Sequence, residues 1–262
     1  MDPRLQDEIF ELAVTAARFA GDYLMKRPDV FDVTQKSSRV DFATQMDKNS
    51  ESMIVDLILG KRPLDGIIGE EGSARPSQSG ITWIIDPLDG TVNYFYGLPG
   101  WNVSIAARDD EGELVGVVYA PTINKIWSAR RGHGAFCNSQ PISCNDPVDL
   151  SMALIATGLS YQLEVRKRQA QVLSGLIPQV RDIRRNGAAA VDLCFVAMGA
   201  FDAYFEYGLQ EWDSAAGGLI AREAGALVTN LAGGPADRSM VIAAGPHLHA
   251  QLLSEIRSSW GE

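Results

Sequence analysis

Apolar runs at about 81–86, 101–108 and 113–120 read as strands, and only Asp109-Asp110-Glu111-Gly112 separates the last two. A short polar turn ending in glycine leaves no room for a crossover helix, so this part of the chain predicts an antiparallel meander, not a βαβ series. Two further short strands are expected in 125–137, around Arg131-Gly132-His133-Gly134. Ahead of the meander, Leu5, Ile9, Leu12, Ala13, Ala16 and Phe19 recur at helical spacing, which gives an amphipathic helix over 4–26 that stops before Pro28. A second helix covers 46–60 and ends at Gly60, and between the two Lys36-Ser37-Ser38-Arg39-Val40-Asp41 reads as a polar, mobile loop. Beyond 150 the pattern alternates. Strands are expected near 152–156, 180–185, 201–206, 226–229 and 239–243, with helices at 162–177, 187–199, 213–224 and 246–258. With 46% apolar residues in 262, the chain can bury a full core as one domain. The section 138–150, with Pro141 and Pro147, is the expected seam between halves of about 1–145 and 146–262.

Charge narrows the function. Lys and Arg total 23 against 33 Asp and Glu, a net of −10, which argues against a general nucleic-acid or anionic-membrane surface. A protein of this charge that handles phosphate must recruit positive charge, and metal ions are the obvious source. Cys137, Cys144 and Cys194 are odd in number and form no CxxC pair, so neither a disulfide framework nor a zinc cage is indicated and a reducing cytoplasm fits. Asp2, Arg4, Asp7 and Glu8 leave no signal-type apolar core at the start, and no run of about 18 apolar residues occurs, so a soluble, unexported protein is expected.

The chemistry concentrates where Trp83-Ile84-Ile85 runs into Asp86-Pro87-Leu88-Asp89-Gly90-Thr91. Pro87 has no N–H for a ladder, so the strand should stop there with both carboxylates at its end. Two acids three positions apart beside a glycine suit a hard divalent cation, and a helix turn starting near Thr91 would present N–H groups to a phosphate. The bland reading is an Asx turn. An aspartyl-phosphate mechanism of haloacid-dehalogenase type is rejected, because its nucleophilic aspartate would stand at Pro87. Gly69-Glu70-Glu71-Gly72 is either a solvated turn or a second carboxylate source beside Asp86. Asp213, opening a helix rich in small residues, is either its N-cap or another metal ligand. Arg184-Arg185-Asn186-Gly187-Ala188-Ala189-Ala190 exposes backbone N–H groups at a helix start or simply packs tightly. Glu206 is an edge charge or an acceptor for substrate hydroxyls. His247-x-His249 lacks a third soft ligand, and no nucleophile elbow or Walker loop occurs.

Taken together, Asp41 through Asp47, Gly69-Glu70-Glu71-Gly72, Asp86-Pro87-Leu88-Asp89-Gly90-Thr91 with Asn93, and Trp212-Asp213 before a small-residue helix resemble the inositol monophosphatase family, in order and over nearly the whole chain. The resemblance implies an α/β/α/β/α sandwich, a homodimer, and magnesium-dependent, lithium-sensitive hydrolysis of phosphate monoesters. It also implies roles. Glu70, Asp86 and the Leu88 carbonyl would hold a first magnesium, Asp86, Asp89 and Asp213 a second, and a weaker third would lie near Glu70. Thr91, bonded to Asp47, would orient the attacking water, while Gly90 and Thr91 N–H groups hold the phosphate. Ala189 N–H and Glu206 match positions that touch the polyol, and Lys36 lies in a loop that would close over the site. Tyr94-Phe95-Tyr96 and Gln210 depart from the family pattern, at positions expected near the substrate mouth.

The leading expectation is hydrolysis of myo-inositol 1-phosphate or a related polyol phosphate. The close alternative keeps the mechanism and takes histidinol phosphate, fructose 1,6-bisphosphate, NADP or a 3′-phosphoadenylate. A different class, an RNA or transcription-complex partner, would use Arg166-Lys167-Arg168 with Arg181, Arg184 and Arg185; the net charge favours reading these as solvated faces or interface pairs.

Overall fold

The computed structural model describes residues 3–38 and 41–260, so Arg39 and Val40 of the expected loop, and the side chains of Ser37, Ser38 and Asp41, lie outside the described residues. The first half runs α1 (Pro3–Leu24), β1 (Val33–Ser38), β2 (Asp41–Thr44), α2 (Gln45–Lys61), β3 (Gly66–Gly69), β4 (Ala74–Arg75), β5 (Thr82–Asp89), α3 (Thr91–Tyr96), β6 (Asn102–Asp109), β7 (Gly112–Ala120), β8 (Lys125–Arg130), β9 (Ala135–Cys137) and β10 (Gln140–Ile142). The second half runs β11 (Leu154–Thr157), α4 (Leu163–Leu176), β12 (Asp182–Arg184), α5 (Ala189–Ala197), β13 (Ala203–Glu206), α6 (Glu211–Glu223), β14 (Leu227–Thr229), β15 (Val241–Ala244) and α7 (Pro246–Trp260).

The strands β5 to β10 form the expected antiparallel meander, extended past β5 by β3, which is parallel to it, and β4; the sheet order is β10-β9-β8-β7-β6-β5-β3-β4. The second sheet has the order β12-β11-β13-β15-β14, with β11 parallel to both β12 and β13 and β15 antiparallel to both its neighbours. Side chains alternate across each strand, so one sheet feeds two cores. Trp83 and Ile85 of β5, with Val103, Ile105, Val115 and Val117, pack under Ile9, Ala13, Leu24, Ile54 and Ile58 of α1 and α2. Ile84, Ala106 and Val118 face the other way, onto α5 and α6, whose far sides meet Ala156, Tyr204 and Ala243. A third core joins Ile155, Phe205 and Ile242 to Val172, Leu252 and Ile256 of α4 and α7. The result is helix, sheet, helix, sheet, helix, the five layers that the resemblance implies. Small residues set the spacing of these layers: a Cβ on Gly116 of β7 would stand 2.8 Å from the Ala216 carbonyl of α6. Among the described residues no helix is long and apolar enough to cross a membrane.

Three expectations change. The polar stretch around Lys36 is half of a hairpin, with Val33, Thr34 and Gln35 opposite Thr44, Ala43 and Phe42. β10 pairs with β9 inside the expected seam, so the first sheet reaches Ile142. Most consequential, β5 does not stop at Pro87. It continues to Asp89 through a bulge, because the three steps from Asp86 to Asp89 face only the two from Ser104 to Asn102 on β6. The missing N–H of Pro87 falls where the ladder is already interrupted, and the next N–H, of Leu88, turns to Asp86 Oδ1 at 3.0 Å.

Candidate active site

The bulge decides where the acids point. Residues three apart in a regular strand face opposite sides, but the extra residue at Pro87-Leu88 returns Asp89 to the side of Asp86, and both line one cavity between the two sheets. Glu70 joins them from the turn after β3, and Asp213 from the first turn of α6. Leu88, Gly90, Thr91, Ala189 and Glu206 complete the sequence-expected set on the cavity wall. Asp47 lies just behind it, fully buried, and its Oδ1 accepts the Thr91 hydroxyl at 2.9 Å. Thr44 fixes Asp47 in turn, donating its N–H and its hydroxyl to Oδ2 at 2.8 and 2.6 Å in the capping box of α2.

The neighbouring segments explain how these groups are held. Gly90 has φ 84°, and a Cβ there would stand 3.2 Å from Ala188 Cβ, so the chain turns from β5 into α3 only with glycine. No side chain caps the first N–H groups of α3. Asp213 is not the helix N-cap, a place that Gln210 takes; it is the N3 residue of the capping box, accepting Gln210 N–H at 2.7 Å through Oδ2, while lining the cavity. Glu206 closes the far wall. Its Oε2 accepts the Tyr204 hydroxyl at 2.5 Å, and Gly158 lies so close beneath the carboxylate that no Cβ fits.

Burial drives the electrostatics. It raises the carboxyls of Asp86 and Asp213 well above the ordinary range, and repulsion from Glu70 and the other acids adds to it. Asp89 is pushed up to about 6 by burial, against the pull of its hydrogen bonds from Asn102 and Ala190. Glu206 reaches about 7, again through burial, despite the Tyr204 hydroxyl and the nearby Arg185 charge. The cation at the acidic end is Lys36, whose Nζ lies 2.8 Å from Glu70 and 2.5 Å from Glu71; burial opposes its charge, but the two carboxylates outweigh that and hold it above the ordinary lysine range.

The oxygen donors on this wall, four carboxylates and the Leu88 carbonyl, are of the kind a hard divalent cation takes, and their mutual repulsion is what such a cation relieves. Their chemistry fits magnesium. Among the described residues no three His, Cys, Asp or Glu side chains close on one point. Several of the oxygens are engaged elsewhere, Asp86 Oδ1 with Leu88 N–H, Asp213 Oδ2 with Gln210 N–H, and Asp89 with three N–H donors.

Some placements differ from expectation. Ala189 N–H points at Asp89 Oδ1, at 3.3 Å, and Ala190 N–H at Oδ2, at 2.9 Å, so the start of α5 serves the carboxylate directly. Tyr94 is a buried anchor whose hydroxyl donates to the Leu24 carbonyl at 2.7 Å and whose ring meets Phe31 and Trp101 edge-on; neither it nor Gln210 lines this cavity. The rest of the wall is formed by residues including Phe42, Leu159, Tyr161, Leu209 and Arg185, the last of which the sequence grouped with a basic surface patch. Sequence reading also missed Glu51, fully buried on α2, which accepts the N–H groups of Glu71 and Ser73 at 2.8 and 2.9 Å and so pins the turn that carries Glu70. It missed Asn102 as well, which alternates with Val103 and Ser104 as polar residues of a strand ordinarily do.

Known proteins resemble this chain over nearly its whole length. An inositol-1-monophosphatase from Mycobacterium bovis is 39% identical over 97% of this chain and 93% of its own length. The Nus factor SuhB of Haemophilus influenzae is 41% identical over 97% of both. The crystal structure of the extragenic suppressor protein suhB from Bartonella henselae superposes with a TM-score of 0.91 at 33% identity, covering 95% of this chain and 98% of that one. The family model described as the inositol monophosphatase family matches residues 5–260, and the chain belongs to that family.

Proposed function

We propose that the chain is a magnesium-dependent phosphomonoesterase that hydrolyses myo-inositol 1-phosphate, or a closely related polyol phosphate, to the free alcohol and inorganic phosphate. The observation that carries this reading is the convergence of Glu70, Asp86, Asp89 and Asp213 on one cavity beside the Thr91–Asp47 pair. Magnesium held by these carboxylates and the Leu88 carbonyl would lower the pKa of the attacking water and offset charge on the transferred phosphoryl group. The chain's own residues do the rest. The Thr91 hydroxyl spends its proton on Asp47 or on the Leu88 carbonyl 3.1 Å away, which leaves its lone pairs to accept from a water in the cavity and orient it. The backbone N–H groups of Gly90 and Thr91 take the phosphate oxygens. Glu206 and Arg185, an acceptor and a donor on the far wall, select the hydroxyls of the leaving alcohol. Because Glu70, Asp86 and Asp89 come from the first half and Glu206 and Asp213 from the second, the whole chain acts as one unit, working in the cytoplasm as a homodimer inhibited by lithium. Phosphate release from a panel of polyol, sugar, histidinol and nucleotide phosphates, with and without magnesium and lithium, tests the reading; no magnesium-dependent turnover of any of them would end it.

Relatives named Nus factor SuhB support a second reading, an RNA or transcription-complex partner. Three of the six basic residues singled out for it are engaged locally, Lys167 with Glu164, Arg184 with Asp182, and Arg166 with the Ser160 carbonyl, and Arg185 lines the acidic cavity instead. We therefore favour the enzyme. Salt-resistant binding of a structured RNA by the purified chain would reverse that preference.

A further inference from the structure

We infer that Asn102 is a positioning residue for Asp89, and through it for the cation; the inference rests on the proposed phosphatase reading. Asn102 opens β6 directly opposite Asp89, at the bulge, and is fully buried. Its Nδ2 donates to Asp89 Oδ2 at 2.8 Å, while Ala190 N–H reaches the same oxygen from α5 at 2.9 Å. The carboxylate is therefore gripped from two layers of the sandwich, by the first sheet and by the central helices. Its rotation is fixed, and so is the direction in which its remaining lone pairs face the cavity. Groups that orient a ligand in this way commonly matter to metal affinity nearly as much as the ligand does.

The other end of the side chain shows that Asn102 is not there for stability. Its Oδ1 is the only buried side-chain nitrogen or oxygen among the described residues without a hydrogen-bond partner. An orphaned buried acceptor costs stability that an apolar residue of the same size would not. The asparagine is retained at a cost, and the one interaction it makes is with Asp89.

The test is a calorimetric titration of magnesium into the full-length protein and its Asn102→Leu and Asn102→Ala variants, with melting temperatures taken on the same samples without magnesium. We expect both variants to lose about 10- to 100-fold in magnesium affinity. The melting temperature of Asn102→Leu should match or exceed the wild type, and that of Asn102→Ala should fall, because only alanine opens a cavity. At saturating substrate, kcat of both variants should fall and recover with excess magnesium. Unchanged affinity in both variants, or a loss confined to Asn102→Ala that follows its melting temperature, would overturn the role of Asn102. A wild type that binds no magnesium would instead remove the phosphatase reading and this inference with it, a result distinct from variants that bind as well as the wild type.

Discussion

Asp86 and Asp89 are legible in the sequence as acids beside a glycine, yet their spacing alone points them to opposite faces of a strand. The bulge that reunites them involves Pro87, which the sequence reading took as the end of the strand. The residue type was informative and the backbone irregularity was not, because a bulge depends on the register of a second strand. For the same reason Asn102 drew no notice: its role exists only through pairing with Asp89. Asp89→Asn should abolish magnesium-dependent turnover while leaving the circular dichroism spectrum intact, and near-normal activity would remove Asp89 from the site. Glu206 supplies a pH test. Its folded-state pKa of about 7 lies above its ordinary value of 4.5, so the folded protein keeps a proton that the unfolded chain gives up. The stability this contributes is present below about pH 4.5 and is lost as pH rises through about 7. Asp89 acts in the same direction up to about pH 6. The magnesium-free protein should therefore melt at a lower temperature at pH 8 than at pH 5.5. Glu206→Gln should flatten that fall and raise the melting temperature at pH 8, by about 2–4 °C for each kcal/mol relieved. A melting temperature that climbs with pH across this range would show the buried acids to be compensated within the protein.

The meander and the helix–strand alternation were readable because hydrophobic periodicity is local. The hairpin at 33–44 was not, since its first strand is polar with Val33, Thr34 and Gln35 exposed, and a polar run looks the same in a loop as in an exposed ribbon. The turn after β3 illustrates the same limit. Its Gly-Glu-Glu-Gly composition reads as a solvated turn, but Glu51 of α2 accepts the N–H groups of Glu71 and Ser73 and sits where a Cβ on Gly69 would be only 2.4 Å from Glu51 Oε2. A helix thus serves as a rigid post for an acidic turn. Glu51→Ala leaves both N–H groups unpaired, and urea denaturation should show a loss of about 1–3 kcal/mol. The freed turn should also weaken magnesium binding about tenfold, as loss of a supporting hydrogen bond to a metal site does. A variant as stable as the wild type, with the same magnesium affinity, would mean that the turn holds its shape unaided.

Across the whole molecule, five layers bring acids from both halves of a strongly acidic chain into one cavity between the sheets. Such an arrangement is unfavourable unless a cation enters it, and Lys36 can face only Glu70 and Glu71 at one end. The fold is a scaffold that accumulates negative charge where, on the proposed reading, a phosphate ester and its metal ions would meet. Its family was legible from four motifs in order; the shape of the rest of the cavity wall was not, because Phe42, Leu159, Tyr161, Leu209 and Arg185 converge from separate segments without a shared motif. The central claim is that this cavity performs magnesium-dependent phosphoryl transfer to water. The measurement that bears on it most directly is the rate of phosphate release from myo-inositol 1-phosphate as magnesium is titrated into chelator-treated protein, with Asp86→Asn alongside. The account expects no turnover without magnesium, saturable turnover with it, and none from the variant at any magnesium concentration. Turnover independent of magnesium, or undiminished in Asp86→Asn, would contradict it.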